Sequence, residues 1–206
     1  MTQENKAVWS WTMYDWANSA FATTVMAGFF PLFFKAYWAD PDYPSESTFF
    51  LGIANSIASI IVALFAPFLG AIADQCGAKK KFLLTFAYLG IVMTGGLWIV
   101  DKGYWQMAIL IYVMAALGFS GSNIFYDSLL TDMATEKKVD SVSSLGYGLG
   151  YLGGGLLFLL NVIMYLKPHF FGIPDGATAI KLSFLSVAIW WLVSVSYTHL
   201  TLPTKA

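Results

Sequence analysis

Ser47-Thr-Phe-Phe-Leu-Gly-Ile-Ala-Asn-Ser-Ile-Ala-Ser-Ile-Ile-Val-Ala-Leu-Phe-Ala-Pro-Phe-Leu-Gly-Ala-Ile-Ala73 runs without a charged side chain, and Asp74-Gln-Cys-Gly-Ala-Lys-Lys-Lys81 closes it. A helix of roughly 20 residues, rising about 1.5 Å per residue, spans a hydrocarbon core of about 30 Å. In lipid only a helix or a closed barrel satisfies every backbone hydrogen bond. Barrel strands are about 10 residues long and alternate in polarity, which this run does not. Working outward, the same uncharged character recurs over Trp16 to Phe34, Phe82 to Val100, Gly103 to Tyr126, Ser141 to Leu166 and Leu182 to Thr204. The fold class that follows is all-α: a polytopic membrane protein with a six-helix bundle.

Composition points the same way. The chain is 58% hydrophobic and 17% aromatic, with only 11% charged residues, against about a quarter in soluble domains. A net charge of -1 and the lack of a basic patch interleaved with aromatics argue against nucleic acid as a partner. Cys76 alone supports no internal disulfide framework. His169 and His199 are too few and too scattered for a metal site, and no cofactor is expected. The start, Met1 to Trp16, lacks the apolar core and cleavage site of a signal peptide and reads as leading into a retained helix.

The expected organisation is a cytoplasmic N-terminus over 1–15 and spans near 16–38, 48–73, 82–100, 104–127, 143–166 and 179–195. Residues 196–206, Ser-Tyr-Thr-His-Leu-Thr-Leu-Pro-Thr-Lys-Ala, lack the preceding aliphatic character and read as a non-native tail. Lysine placement sets the orientation: Lys6, Lys79, Lys80, Lys81, Lys137 and Lys138 on one side, Lys35, Lys102, Lys167 and Lys181 on the other. The richer side belongs in the cytoplasm, so both ends of the segment are expected inside, in a cell-membrane protein. Trp9, Trp11, Trp16, Trp38, Trp98 and Trp105 fall near span ends, where interfacial anchors belong. Leu129, Leu130 and Met133 suggest a short amphipathic helix on the membrane surface. Pro31 and Pro67 predict kinks.

The motif Gly70-Ala-Ile-Ala-Asp74-Gln-Cys-Gly77-Ala-Lys79-Lys80-Lys81 resembles the signature between helices two and three of the major facilitator superfamily. It departs from that signature at Gln75 and Ala78, where basic residues are usual. Physically, Gly70 permits close approach of a neighbouring helix, Gly77 a tight turn. Asp74 can accept hydrogen bonds from a helix N-terminus or pair with a cation. The resemblance implies a cytoplasmic gating loop. Tyr14-Asp-Trp-Ala-Asn-Ser-Ala-Phe21, Gly28-Phe-Phe-Pro31 and Ser144-Leu-Gly-Tyr-Gly-Leu-Gly-Tyr-Leu-Gly-Gly-Gly155 are similar to the subfamily that includes the yeast vacuolar amino-acid effluxer of autophagy. That similarity runs from about Trp9 to Trp191, the N-terminal half of such a protein. It implies twelve helices in all, alternating access, a missing C-terminal six-helix half, and amino-acid efflux as an activity.

On the first span Asp15, Asn18, Ser19 and Ala22 share one face, and a polar face in a membrane helix looks into the bundle or a wet cavity. A helix cap is the other reading of Asp15. Ser120, Asn123 and Asp127 share a face of the fourth span, where a solvated helix end competes as the reading for Asp127. With both aspartates inward they would line the cytoplasmic mouth and bind a proton or cation. Asn55, Ser56, Ser59 and Asn161 are weaker candidates, since buried amides more often bridge helices. Gly148-x-Gly150-x-x-Gly153 matches a dinucleotide fingerprint only formally, because it lies inside a span with no preceding strand. Gly146, Gly150 and Gly154 instead make a stripe for helix packing. No HExxH, GxSxG or Walker-type sequence is present, so no enzyme is expected. The reading is a secondary transporter half whose partners are the lipid bilayer, a small-molecule substrate and a coupling proton or cation. A non-transporting membrane scaffold is the alternative.

Overall fold

The computed structural model describes residues 3–40, 42–134 and 138–201. Pro41, Lys137 and the end of the tail, 202–206, lie outside them. No strand occurs among the described residues. Among the described residues six helices are long and apolar enough to cross a membrane.

Helix α1, which contains the span Asn5–Trp38, is composite: regular over Gln3–Ala20, widened into π turns over Phe21–Phe29, regular over Phe30–Phe33 and wide again over Phe34–Trp38. Pro31 sits at the start of the short regular piece between the two wide ones. A proline nitrogen cannot donate, and π turns are one way a helix absorbs the lost bond. The helix begins at Gln3, so the segment expected as a separate N-terminus is continuous with the first span.

Helix α2 is Pro44–Cys76, entered with proline in its first turn, where the missing N–H has no helical partner to lose. It is helical straight through Pro67 and ends at Gly77, φ 59, in the left-handed conformation that glycine adopts without penalty. Helix α3, Lys79–Gly96, runs into a tight turn over Leu97–Ile99. Helix α4 is Trp105–Met133, α5 is Val139–Leu166 and α6 is Gly176–Thr201. The expected surface helix around Leu129 is therefore the last part of α4, and Leu129 and Leu130 pack against the core. Helix α6 continues into the segment set aside as a tail.

In the bundle α1 packs on α5, α6 and α4, α3 lies against α4 and α6, and α2 rests chiefly on α4. Glycine makes the closest of these crossings. A Cβ on Gly118 of α4 would lie 2.6 Å from Gly90 Cα on α3, so the two backbones touch there. The core is aromatic: Phe21 meets Phe119 and Trp191, and Phe30 stacks on Tyr112 with ring centroids 4.0 Å apart. Two of the tryptophans expected as interfacial anchors are inside it. Trp11 and Trp38 are buried, donating their indole N–H to the carbonyls of Tyr126 (2.9 Å) and Val100 (3.3 Å). A protein carbonyl replaces the headgroup as hydrogen-bond partner, so the indole is free to leave the interface.

Candidate functional site

Three helices bring the polar faces together. Helix α1 places Asp15, Asn18, Ser19, Ala22 and Thr23 on one side of a cavity of about 230 Å³; Phe119, Asn123, Tyr126 and Asp127 of α4 and Tyr147 and Tyr151 of α5 complete it. Because the first helix already starts at Gln3, Asp15 lies in its interior and is no cap. Ser120 shares the α4 face but is not among the lining residues.

The cavity wall is tied across helices. The Asn18 side-chain amide donates to the Asn123 carbonyl oxygen, joining α1 to α4. Ser19 Oγ donates to Asp15 Oδ1 at 3.3 Å, and Thr23 Oγ1 to the carbonyls of Ser19 (3.0 Å) and Gly154 (3.3 Å), joining α1 to α5. No lysine pairs with Asp15 or Asp127 among the described residues, and none lines the cavity.

The glycine stripe of α5 is what lets α1 come this near. A Cβ at Gly146 would meet Trp11 Cζ3 at 2.5 Å, at Gly150 Ser19 Oγ at 2.7 Å and Asp15 Oδ2 at 2.8 Å, and at Gly154 the Ser19 carbonyl oxygen at 3.0 Å. A Cβ at Gly153 would meet the Trp16 carbonyl oxygen and lie 2.6 Å from that residue's ring, while at Gly148 and Gly155 it would meet nothing within 4 Å. The stripe thus seats the cavity's α1 wall. Tyr147 and Tyr151, one position along from Gly146 and Gly150, were missed by the sequence reading. Their signal was there: an i, i+4 aromatic pair flanking a small-residue stripe.

At the other candidate site, Lys79 Nζ lies 3.0 Å from Asp74 Oδ1 and 3.0 Å from Asp132 Oδ2, and donates to the Ser128 carbonyl at 3.4 Å. One lysine thereby joins the ends of α2, α3 and α4. Asp74, at 63% side-chain exposure, keeps most of its surface open. Gly77 makes the turn the motif requires, its N–H reaching the carbonyls of Ala73 and Asp74. Lys80 and Lys81 continue into α3. Gly70 corrects the reading of the motif: nothing in the described bundle comes within 4 Å of a Cβ there, so the close approach expected of it is not made inside this segment. The weaker amide candidates bridge helices. Tyr112 donates to Asn55 Oδ1 at 3.0 Å, and Ser186 to Asn161 Oδ1 at 3.1 Å.

The family described as "Vacuole effluxer Atg22 like" matches residues 43–139 and 131–206, the second stretch running through residues 196–206. YxiO of Bacillus subtilis (strain 168), described as an uncharacterized MFS-type transporter, is 40% identical over 191 residues, 92% of this chain and 44% of that protein. A protein of Aquifex aeolicus (strain VF5) is 24% identical over 164 residues, 80% of this chain and 40% of its own. Autophagy-related protein 22 of Eremothecium gossypii is 19% identical over 237 residues, covering 92% and 44%. The chain therefore spans less than half the length of these relatives. No solved structure matches it.

Proposed function

We propose that this chain, which belongs to the Atg22-like vacuole effluxer family, is the N-terminal half of a secondary transporter moving small solutes by alternating access. The observation that carries the reading is the cavity between α1, α4 and α5, where two carboxylates, two amides and five hydroxyls meet inside a largely apolar core. Intramembrane ionisable groups are costly and mark solute or ion paths far more often than packing defects. Secondary transporters hold their sites between two bundles that rock against each other. This cavity is one wall of such a site, and the remaining sequence supplies the other.

The lysine-rich turns lie at the cytoplasmic face in this reading, which puts the loop of Gly70, Asp74, Gly77 and Lys79 to Lys81 inside. Lys79 holds the ends of three helices together, and the exposed flank of Asp74 is left to latch the second bundle in one of the two states. Amino acids are the first solutes to try, on the strength of the family resemblance, with a proton or cation as the coupling ion.

The test is flux in proteoliposomes carrying the full-length protein. Amino acids are supplied one by one under imposed proton and sodium gradients, with Asp74→Asn run in parallel. The expected result is flux for at least one solute and a loss of about tenfold in Asp74→Asn with an unchanged unfolding temperature. A folded full-length protein that moves no member of a broad solute panel sinks the transport reading and favours a scaffold.

A further inference from the structure

We infer that the cavity between α1, α4 and α5 recognises the positively charged amine end of an organic solute. This inference rests on the transporter reading and narrows it to a substrate class. Three features of the wall carry it. Asp15 and Asp127 both line the cavity, while no lining residue is basic. The sequence has no arginine and no lysine between Lys6 and Lys35 or between Lys102 and Lys137, so neither α1 nor α4 can bring a compensating cation to the cavity from its own middle. The field inside the cavity is therefore negative, and a low-dielectric wall strengthens it.

The second feature is aromatic. Phe119, Tyr126, Tyr147 and Tyr151 make four of the lining residues aromatic. Ring faces attract ammonium groups held within about 6 Å of their centroids, more strongly when water is excluded. A metal ion uses only the oxygens of the wall, and no group of three or more His, Cys, Asp or Glu side chains that could hold one occurs among the described residues. An alkylammonium uses both surfaces, its N–H groups on the carboxylates and its carbon on the rings.

Third, Tyr126 is 6% exposed, lines the cavity, and leaves its hydroxyl oxygen without a hydrogen-bond partner among the described residues. Its ring is fixed by stacking on Trp11, with centroids 4.2 Å apart, so the hydroxyl does not swing away to solvent. That oxygen is closed off from the cavity; a buried hydroxyl left unpaired is costly, and a cation in the cavity offsets part of the cost through the field rather than by contact. The carboxylate of an amino acid, by contrast, finds no cationic partner in this lining. If the solute is zwitterionic, that end is held by the rest of the protein.

The experiment compares two probes that differ only in the charged group. Phenethylamine and 2-phenylethanol are measured by equilibrium binding to the detergent-purified full-length protein, wild type and with Asp15→Asn, Asp127→Asn or Asp101→Asn. Asp101 is remote from the cavity and serves as the charge control. The expected result is at least tenfold tighter binding of the amine, a loss of about tenfold in that preference in Asp15→Asn and in Asp127→Asn, and no change in Asp101→Asn. Equal binding of the two probes, a preference that survives both cavity substitutions, or binding of neither overturns the inference. Amino-acid flux scored on the same preparations separates the two readings. Intact flux without an amine preference removes this inference alone, and an amine preference without any flux removes the transport reading alone.

Discussion

Helices α1 and α2 have the same sequence signature of a membrane span and opposite fates. Of the most apolar stretch of α1, 56% of residues are buried inside the bundle; of α2, 11%. Helix α1 is widened by π turns and ringed by α4, α5 and α6, whereas α2 is a regular helix from Pro44 to Cys76 resting mainly on α4. Phe49, Ile53, Ile57, Ile60, Leu64 and Phe68 leave α2 exposed along its length. Hydrophobicity places both in lipid; small residues on the facing helix decide which one enters the core. Gly146, Gly150, Gly153 and Gly154 of α5 receive α1, but Gly52 and Gly70 of α2 receive no neighbour in this segment.

The largest effect that sharpens this contrast is truncation of a ring on each helix. Phe21 is fully buried, against Phe119 at 5.2 Å and Trp191 at 5.8 Å between centroids. Phe21→Ala should cost about 3–5 kcal/mol, the usual range for a buried phenylalanine. Ile60, 58% exposed, should change stability by less than about 0.5 kcal/mol on mutation to alanine if only lipid faces it. Reversible unfolding in mixed micelles measures both. A large loss in Ile60→Ala in the full-length protein would mean that α2 is covered by the second bundle rather than by lipid. That outcome would relocate the interface of the proposed transporter to this helix.

A smaller effect tests the seam itself. Gly153→Ala drives a methyl group toward Trp16, 2.6 Å from its ring, and should cost about 1–3 kcal/mol, as overpacking does. Gly148→Ala, with nothing within 4 Å, should be neutral or stabilise by up to about 1 kcal/mol through helix propensity. Equal responses at the two glycines would break the claim that α5 is selected by its stripe.

The number of helices was legible because an uncharged run of this length has no other stable state in lipid. The cavity was half legible: the 3.6-residue spacing put Asp15, Asn18 and Ser19 on one face and Asn123 and Asp127 on another, and the structure brings both faces to one cavity. That the two faces meet depends on which helix the glycines of α5 admit, and a stripe does not name its partner. Trp11 and Trp38 were misread as anchors for a related reason. An indole near a span end satisfies its N–H equally well at a headgroup or at the carbonyls of Tyr126 and Val100, and only the packing chooses. Helix ends were the least legible. The start at Gln3 carries charges that a hydropathy reading takes for a boundary.

The smallest effect lies at the entrance to α6, where the contrast between packed and peripheral helices reduces to a single cap. Asp175 accepts the backbone N–H of Thr178 at 2.7 Å, the geometry of an N-cap aspartate. That backbone hydrogen bond, with further ones from Thr178 and Ala177, holds its carboxyl below the usual carboxylate range. A carboxyl whose folded value is depressed adds stability above its unfolded value of about 4. It loses that contribution as pH falls through the lower folded value. Amide exchange in the first turn of α6 should therefore accelerate on acidification below about pH 4 and be unchanged between pH 6 and pH 8 once corrected for intrinsic rates. Asp175→Asn, which keeps an acceptor but no charge, should remove the acid response while preserving most of the protection at neutral pH. An acid response that persists in Asp175→Asn would assign it elsewhere and leave the α6 entrance held by packing alone.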